Sequence, residues 1–90
     1  DPSIPLRQRV RFALAAYNAG LGHVYDAQRL AAKLGKDPKR WFGNVERSML
    51  LLSKPEYARK ARHGYVRGAE PVAYVSHIQS KYDAYVKVVP

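Results

Sequence analysis

Three residues carry the most specific chemical signal in this chain of 90 residues: Tyr17, Asn18 and Tyr74. A phenol ring offers an apolar face and a hydroxyl, and a carboxamide both donates and accepts hydrogen bonds. They sit in Phe12-Ala13-Leu14-Ala15-Ala16-Tyr17-Asn18-Ala19-Gly20-Leu21-Gly22, a small-residue run that ends at two glycines. Gly20 suits the residue that closes a helix, and Gly22 is expected to free the chain to turn. Tyr17 and Asn18 then fall in the last turn, where a ring and an amide can face a groove. Tyr74 lies at the edge of a late apolar stripe, from which it can reach an adjacent cleft.

Other chemistry is harder to build. His23, His63 and His77 share no i, i+4 spacing, and with no cysteine in the chain no metal centre and no disulfide is expected. No phosphate loop or nucleophile triad is visible, and no cofactor is expected. The three glutamates have structural explanations. Glu56 completes a capping box with Ser53, Glu46 lies in a first helical turn, and Glu70 opens the last helix. No catalytic residue is therefore assigned within the chain. The residues describe a binding surface without an acid to drive it.

The elements that must position these side chains read as all-α: a small unit of about five helices with no sheet, in a single domain over residues 1–90. Helices are expected at residues 4–18, capped by Ser3 with Pro5 in the first turn, and at 23–34, closed by Gly35. A short turn carrying Trp41 and Phe42 follows, then a segment at 45–52 capped by Asn44. The remaining helices are expected from 53 to 62 and from 70 to 87. Trp41 and Phe42 are the expected core anchors. Between the last two helices, residues 62–68 place two arginines and Tyr65 between glycines, a mixture that suits the lining of a groove. His23, beside the same turn as Asn18, is a weaker candidate for ligand contact.

The formal charge is +9, from 16 Lys and Arg against 7 Asp and Glu. That surface favours a polyanion: nucleic acid, anionic lipid, or a wall polymer bearing carboxylates. The basic residues are spread over every segment and not gathered on one recognition helix, so no nucleic-acid partner is expected. No run approaches the ~20 apolar residues of a membrane span.

The segment Ala16-Tyr17-Asn18-Ala19-Gly20 resembles the signature of Slt-type lytic transglycosylases, in the lysozyme-like superfamily. Glu70-Pro71-Val72-Ala73-Tyr74-Val75 resembles a second, later motif of that family, with proline where threonine is usual. Gly22-His23-Val24-Tyr25-Asp26-Ala27-Gln28-Arg29-Leu30 and Tyr65-Val66-Arg67-Gly68-Ala69-Glu70 point to one subgroup. The family's catalytic glutamate-serine segment and its Gly-Leu-Met-Gln segment are absent.

On this resemblance the chain is the C-terminal half of a catalytic domain. That domain cleaves the β-1,4 bond between N-acetylmuramic acid and N-acetylglucosamine without water, leaving a 1,6-anhydro end. Tyr17 would lie beside the catalytic glutamate, Asn18 would bond a sugar near the scissile bond, and Tyr74 would line the cleft. The partners implied are peptidoglycan glycan strands and the missing N-terminal half of the domain, or a second copy covering an apolar face near Phe12, Ala16 and Tyr17. Placement is periplasmic, with outer-membrane association in the full-length protein left open. The alternative functions are a non-catalytic wall-binding or scaffold module and, less favoured, a basic nucleic-acid-binding helical domain.

Overall fold

The computed structural model describes residues 2–89. Five helices and no strand are present among them: α1 Leu6–Ala19, α2 Leu21–Lys33, α3 Glu46–Leu51, α4 Pro55–Ala58 and α5 Ala69–Val88. The all-α expectation holds. α1 packs on both α2 and α5, α2 on α3, and α3 on α5.

A single residue joins α1 to α2. Gly20 adopts φ 102°, ψ 142°, a conformation that side chains oppose, and its N–H still donates to the Ala16 carbonyl at 2.8 Å. The reversal is therefore complete two residues earlier than expected, and α2 begins at Leu21. Gly22 lies inside the first turn of α2 and does not turn the chain. Its role is steric: a Cβ there would meet the His63 ring at 2.8 Å.

The core forms where the expected stripes meet. Phe12 and Ala15 of α1, Val24, Ala27 and Ala31 of α2, Val45, Met49 and Leu52 around α3, and Val75 of α5 are all buried. Trp41 fills the centre, edge-on to Phe12 with ring centroids 6.1 Å apart, and its backbone N–H donates to Gln8 Oε1 at 3.0 Å. Phe42 does not share that depth. It is half-buried under the Arg11 guanidinium, 4.7 Å from the ring centroid. Ser48, fully buried, donates its hydroxyl to the Ala27 carbonyl at 2.6 Å and ties α3 to α2.

Local caps differ most from expectation. Pro5 stands at the N-cap of α1, one residue ahead of the first turn, with no side-chain cap. Asn44 does not cap α3. It donates to the Phe42 carbonyl and accepts the Asp37 N–H, closing the irregular turn Trp41–Val45, while Glu46 accepts the Gly43 N–H at 3.0 Å. The Ser53 capping box is not formed either. Lys54 is the N-cap of α4, and the Ser53 hydroxyl donates back to the Leu50 carbonyl at 2.7 Å. α4 is accordingly one turn long and gives way to successive tight turns through Ala61, not a helix to residue 62.

α5 reaches the expected length, and its 20 residues span about 30 Å. Only its first half is embedded. Tyr82 and Val86, which continue the apolar stripe, are exposed along with Tyr85 and Val88. The molecule is accordingly long, 47 × 26 × 19 Å. Of the apolar face expected near Phe12, Ala16 and Tyr17, only Tyr17 is exposed; Ala16 is half-buried. Phe12 is covered by Trp41, and the large apolar side chains exposed on α1 are Leu6, Val10 and Tyr17.

Candidate functional site: a cleft where three helix ends converge

The end of α1, the first turn of α2 and the start of α5 meet around a cleft of about 300 Å3. Asn18 and Ala19 come from α1, His23 from α2, and Glu70 and Pro71 from α5; Tyr65, Val66 and Arg67 close it from the segment before α5. Each is there for a local reason. The one-residue reversal at Gly20 puts Asn18 and His23 on the same lip. Gly68 lets α5 begin directly against the α3 backbone: a Cβ would stand 2.0 Å from the Met49 carbonyl oxygen. Val66 is buried, and its N–H donates to the Leu52 carbonyl, so Tyr65 and Arg67 on either side are held facing outward.

Of the three residues singled out from sequence, Asn18 lines the cleft. Tyr17 and Tyr74 stack on each other, with centroids 6.2 Å apart and planes 29° from parallel. Tyr17 is 83% exposed, so one face of this aromatic pair is open to a ligand. The structure thus brings the two distant motifs into contact through their tyrosines. Glu70 sits on the cleft rim, ion-paired with Arg67 at 3.1 Å.

The polar lining offers a carboxamide, a phenol, an imidazole and a balanced ion pair. That set hydrogen-bonds neutral hydroxyl and amide groups and lacks a net charge that would demand an ion. The His23 Nδ1 atom is buried without a hydrogen-bond partner. The His23 and His63 rings, remote in sequence, meet edge to face at 6.4 Å. No group of three or more candidate metal ligands forms among the described residues.

The residue that sequence reasoning missed is Asp26. Its near partner is Arg29, one turn along α2, with which it forms an ion pair. Its larger task is distant. The buried carboxylate accepts the Arg62 N–H at 3.2 Å and the His63 N–H at 2.7 Å, pinning the start of the segment that carries Tyr65 and Arg67. Burial works against the charge, but the His63 N–H, the Arg29 guanidinium and the Arg62 N–H outweigh it and hold the carboxyl below its ordinary acidity range.

These features define a class: a small all-α unit with a polar, aromatic-edged cleft where helix ends converge. No family model matches the chain. Curated proteins do match, almost from end to end. The chain is 49% identical over 85 residues, 94% of its length, to the membrane-bound lytic murein transglycosylase F of Marinobacter nauticus. It is 50% identical over 84 residues to the protein of that name from Shewanella pealeana and 47% identical over 83 residues to the one from Pseudomonas fluorescens. The resemblance to lytic transglycosylases therefore stands, as does its subgroup: the chain is homologous to one segment of these proteins. It spans about 17% of their length.

Proposed function

We propose that this chain supplies one wall of the glycan-binding cleft of a peptidoglycan lytic transglycosylase, as the C-terminal part of its catalytic domain. The observation that carries the reading is the convergence of Asn18, the Tyr17–Tyr74 stack and Glu70 at one end of the fold, from two motifs about fifty residues apart. The identity to proteins named lytic murein transglycosylases supports it.

In this reading the Asn18 carboxamide bonds a sugar near the scissile linkage, and the open Tyr17 ring, backed by Tyr74, packs against the glycan. The acid is a glutamate outside these residues. It protonates the leaving O4 as the C1–O4 bond breaks, then takes the proton of the muramoyl 6-hydroxyl as O6 closes onto C1. No water is consumed, and a 1,6-anhydro end remains. None of Glu46, Glu56 and Glu70 is buried; Glu46 bonds the Gly43 N–H, Glu70 is paired with Arg67, and Glu56 is exposed on α4, so none has the apolar setting of a general acid. The chain alone binds without cutting. Its site of action is the cell envelope, in the periplasm and at the outer membrane.

Co-sedimentation with purified peptidoglycan sacculi tests this. The 90-residue protein should pellet with sacculi and release no anhydro-sugars. Asn18→Ala should weaken retention about tenfold, the loss of one or two well-placed hydrogen bonds, and Tyr74→Ala should do at least as much. Retention unchanged in both variants would overturn the assignment of the cleft. Release of anhydro-sugars by the chain alone would overturn the assignment of the acid.

A further inference from the structure

A second concavity, larger than the cleft, lies on the other side of the segment that Asp26 pins. It runs between α2 and α4 and has a volume of about 420 Å3, within the range of ligand-binding pockets. Its floor is apolar: Leu52 at the bottom, fully buried, with Leu30, Tyr57 and Ala61 half-buried around it and Leu34 exposed at one end. Its rim is basic. Lys33 lines it from α2 and Lys60 from the turn after α4, and Arg62 stands where the groove meets the pinned segment.

The charges do not cancel. Asp26 is consumed by Arg29 and two backbone N–H groups, which leaves Glu56 as the one other carboxylate on the rim against Lys33, Lys60 and Arg62. None of these three cations has an acidic partner within ion-pair distance among the described residues. An apolar floor with an unbalanced cationic rim is complementary to a ligand having an apolar body and more than one negative group.

The geometry points to a binding site for a short acidic peptide, an apolar side chain on the Leu30–Tyr57 floor and its carboxylates between Lys33, Lys60 and Arg62. A single inorganic anion would leave the floor in water. A flat bilayer surface would not reach Leu52. Arg62 belongs to the groove and Tyr65 and Arg67 to the cleft, so a ligand here would bear on the same short segment that shapes the cleft wall. This inference does not rest on the glycan reading.

The test is a titration of the isotopically labelled 90-residue protein, followed by amide shifts in nuclear magnetic resonance. The probes are the peptide acetyl-Leu-Glu-Glu-amide, acetyl-Leu-Lys-Lys-amide and inorganic phosphate; vesicles with and without phosphatidylglycerol are added in a separate sedimentation arm. The acidic peptide should give saturable shifts confined to residues 29–34 and 56–62. Lys33→Glu with Lys60→Glu should weaken it at least tenfold, and Glu56→Gln should tighten it two- to threefold. All three positions are exposed, so helix content should not change. Four results would each overturn the proposal: the same shifts with phosphate alone, equal binding of the lysine peptide, no saturation by the acidic peptide, or capture by anionic vesicles without peptide binding.

Discussion

Gly68→Ala should destabilise the fold by at least about 3 kcal/mol, lowering the melting temperature by about 15 °C for a domain of this size. The backbone at Gly68 is ordinary, with φ −58° and ψ −26°, so conformational freedom is not the reason. The reason is contact. A Cβ would lie 2.0 Å from the Met49 oxygen, 2.7 Å from its carbonyl carbon and 3.0 Å from the Leu50 Cα. All three are backbone atoms of α3, so no side chain can swing away. The start of α5 must lift off α3, uncovering Val66 and shifting Glu70 and Pro71 in the cleft. Thermal unfolding followed by circular dichroism reads the effect. A loss below about 1 kcal/mol would mean that α5 does not need this approach.

Asp26→Asn should cost about 3 kcal/mol and selectively loosen the cleft wall. An asparagine oxygen can accept one of the Arg62 and His63 N–H groups, but its NH2 would then face the other donor, and the Arg29 guanidinium would lose its counter-ion. Acidity follows from the same contacts. Because the folded carboxyl titrates below its unfolded value, its contribution is complete above the ordinary aspartate range near pH 4. It is lost as pH falls through the folded value. Wild-type stability should therefore drop below about pH 4, and the variant's acid limb should be flatter. Amide exchange at Arg62 and His63 should accelerate in the variant more than exchange in α1. Uniform acceleration would make Asp26 a general stabiliser and not the clamp of that segment.

These two expectations mark where the sequence stopped being informative. Periodicity located α1, α2 and α5 to within about two residues, because each has one face that must be buried: Phe12 and Ala15, Val24 to Ala31, and Val72 to Val75. The same periodicity misled along distal α5, where Tyr82 and Val86 keep the spacing with nothing over them. Local side-chain caps were over-read. Ser53 and Asn44 have the right residue types, but each found a nearer carbonyl, so neither reached a helix N-terminus.

The candidate site was legible where motifs carried it. Asn18 and the two tyrosines were named from sequence, and residues 62–68 were singled out as groove-lining. Their convergence was not legible. The stack of Tyr17 on Tyr74, the contact of His63 with Gly22 and His23, and the Asp26 clamp all join residues about forty or more positions apart, distances over which spacing carries no signal.

The account turns on whether the cleft at the α1 tip holds sugar. The direct measurement is a titration of the labelled protein with a peptide-free tetrasaccharide of alternating N-acetylglucosamine and N-acetylmuramic acid. The account predicts saturable shifts at the Asn18 side-chain amide together with the His23, Tyr65 and Arg67 backbone amides, abolished by Asn18→Ala with Tyr74→Ala. Shifts that avoid those residues, or no saturable shift at all, would contradict it.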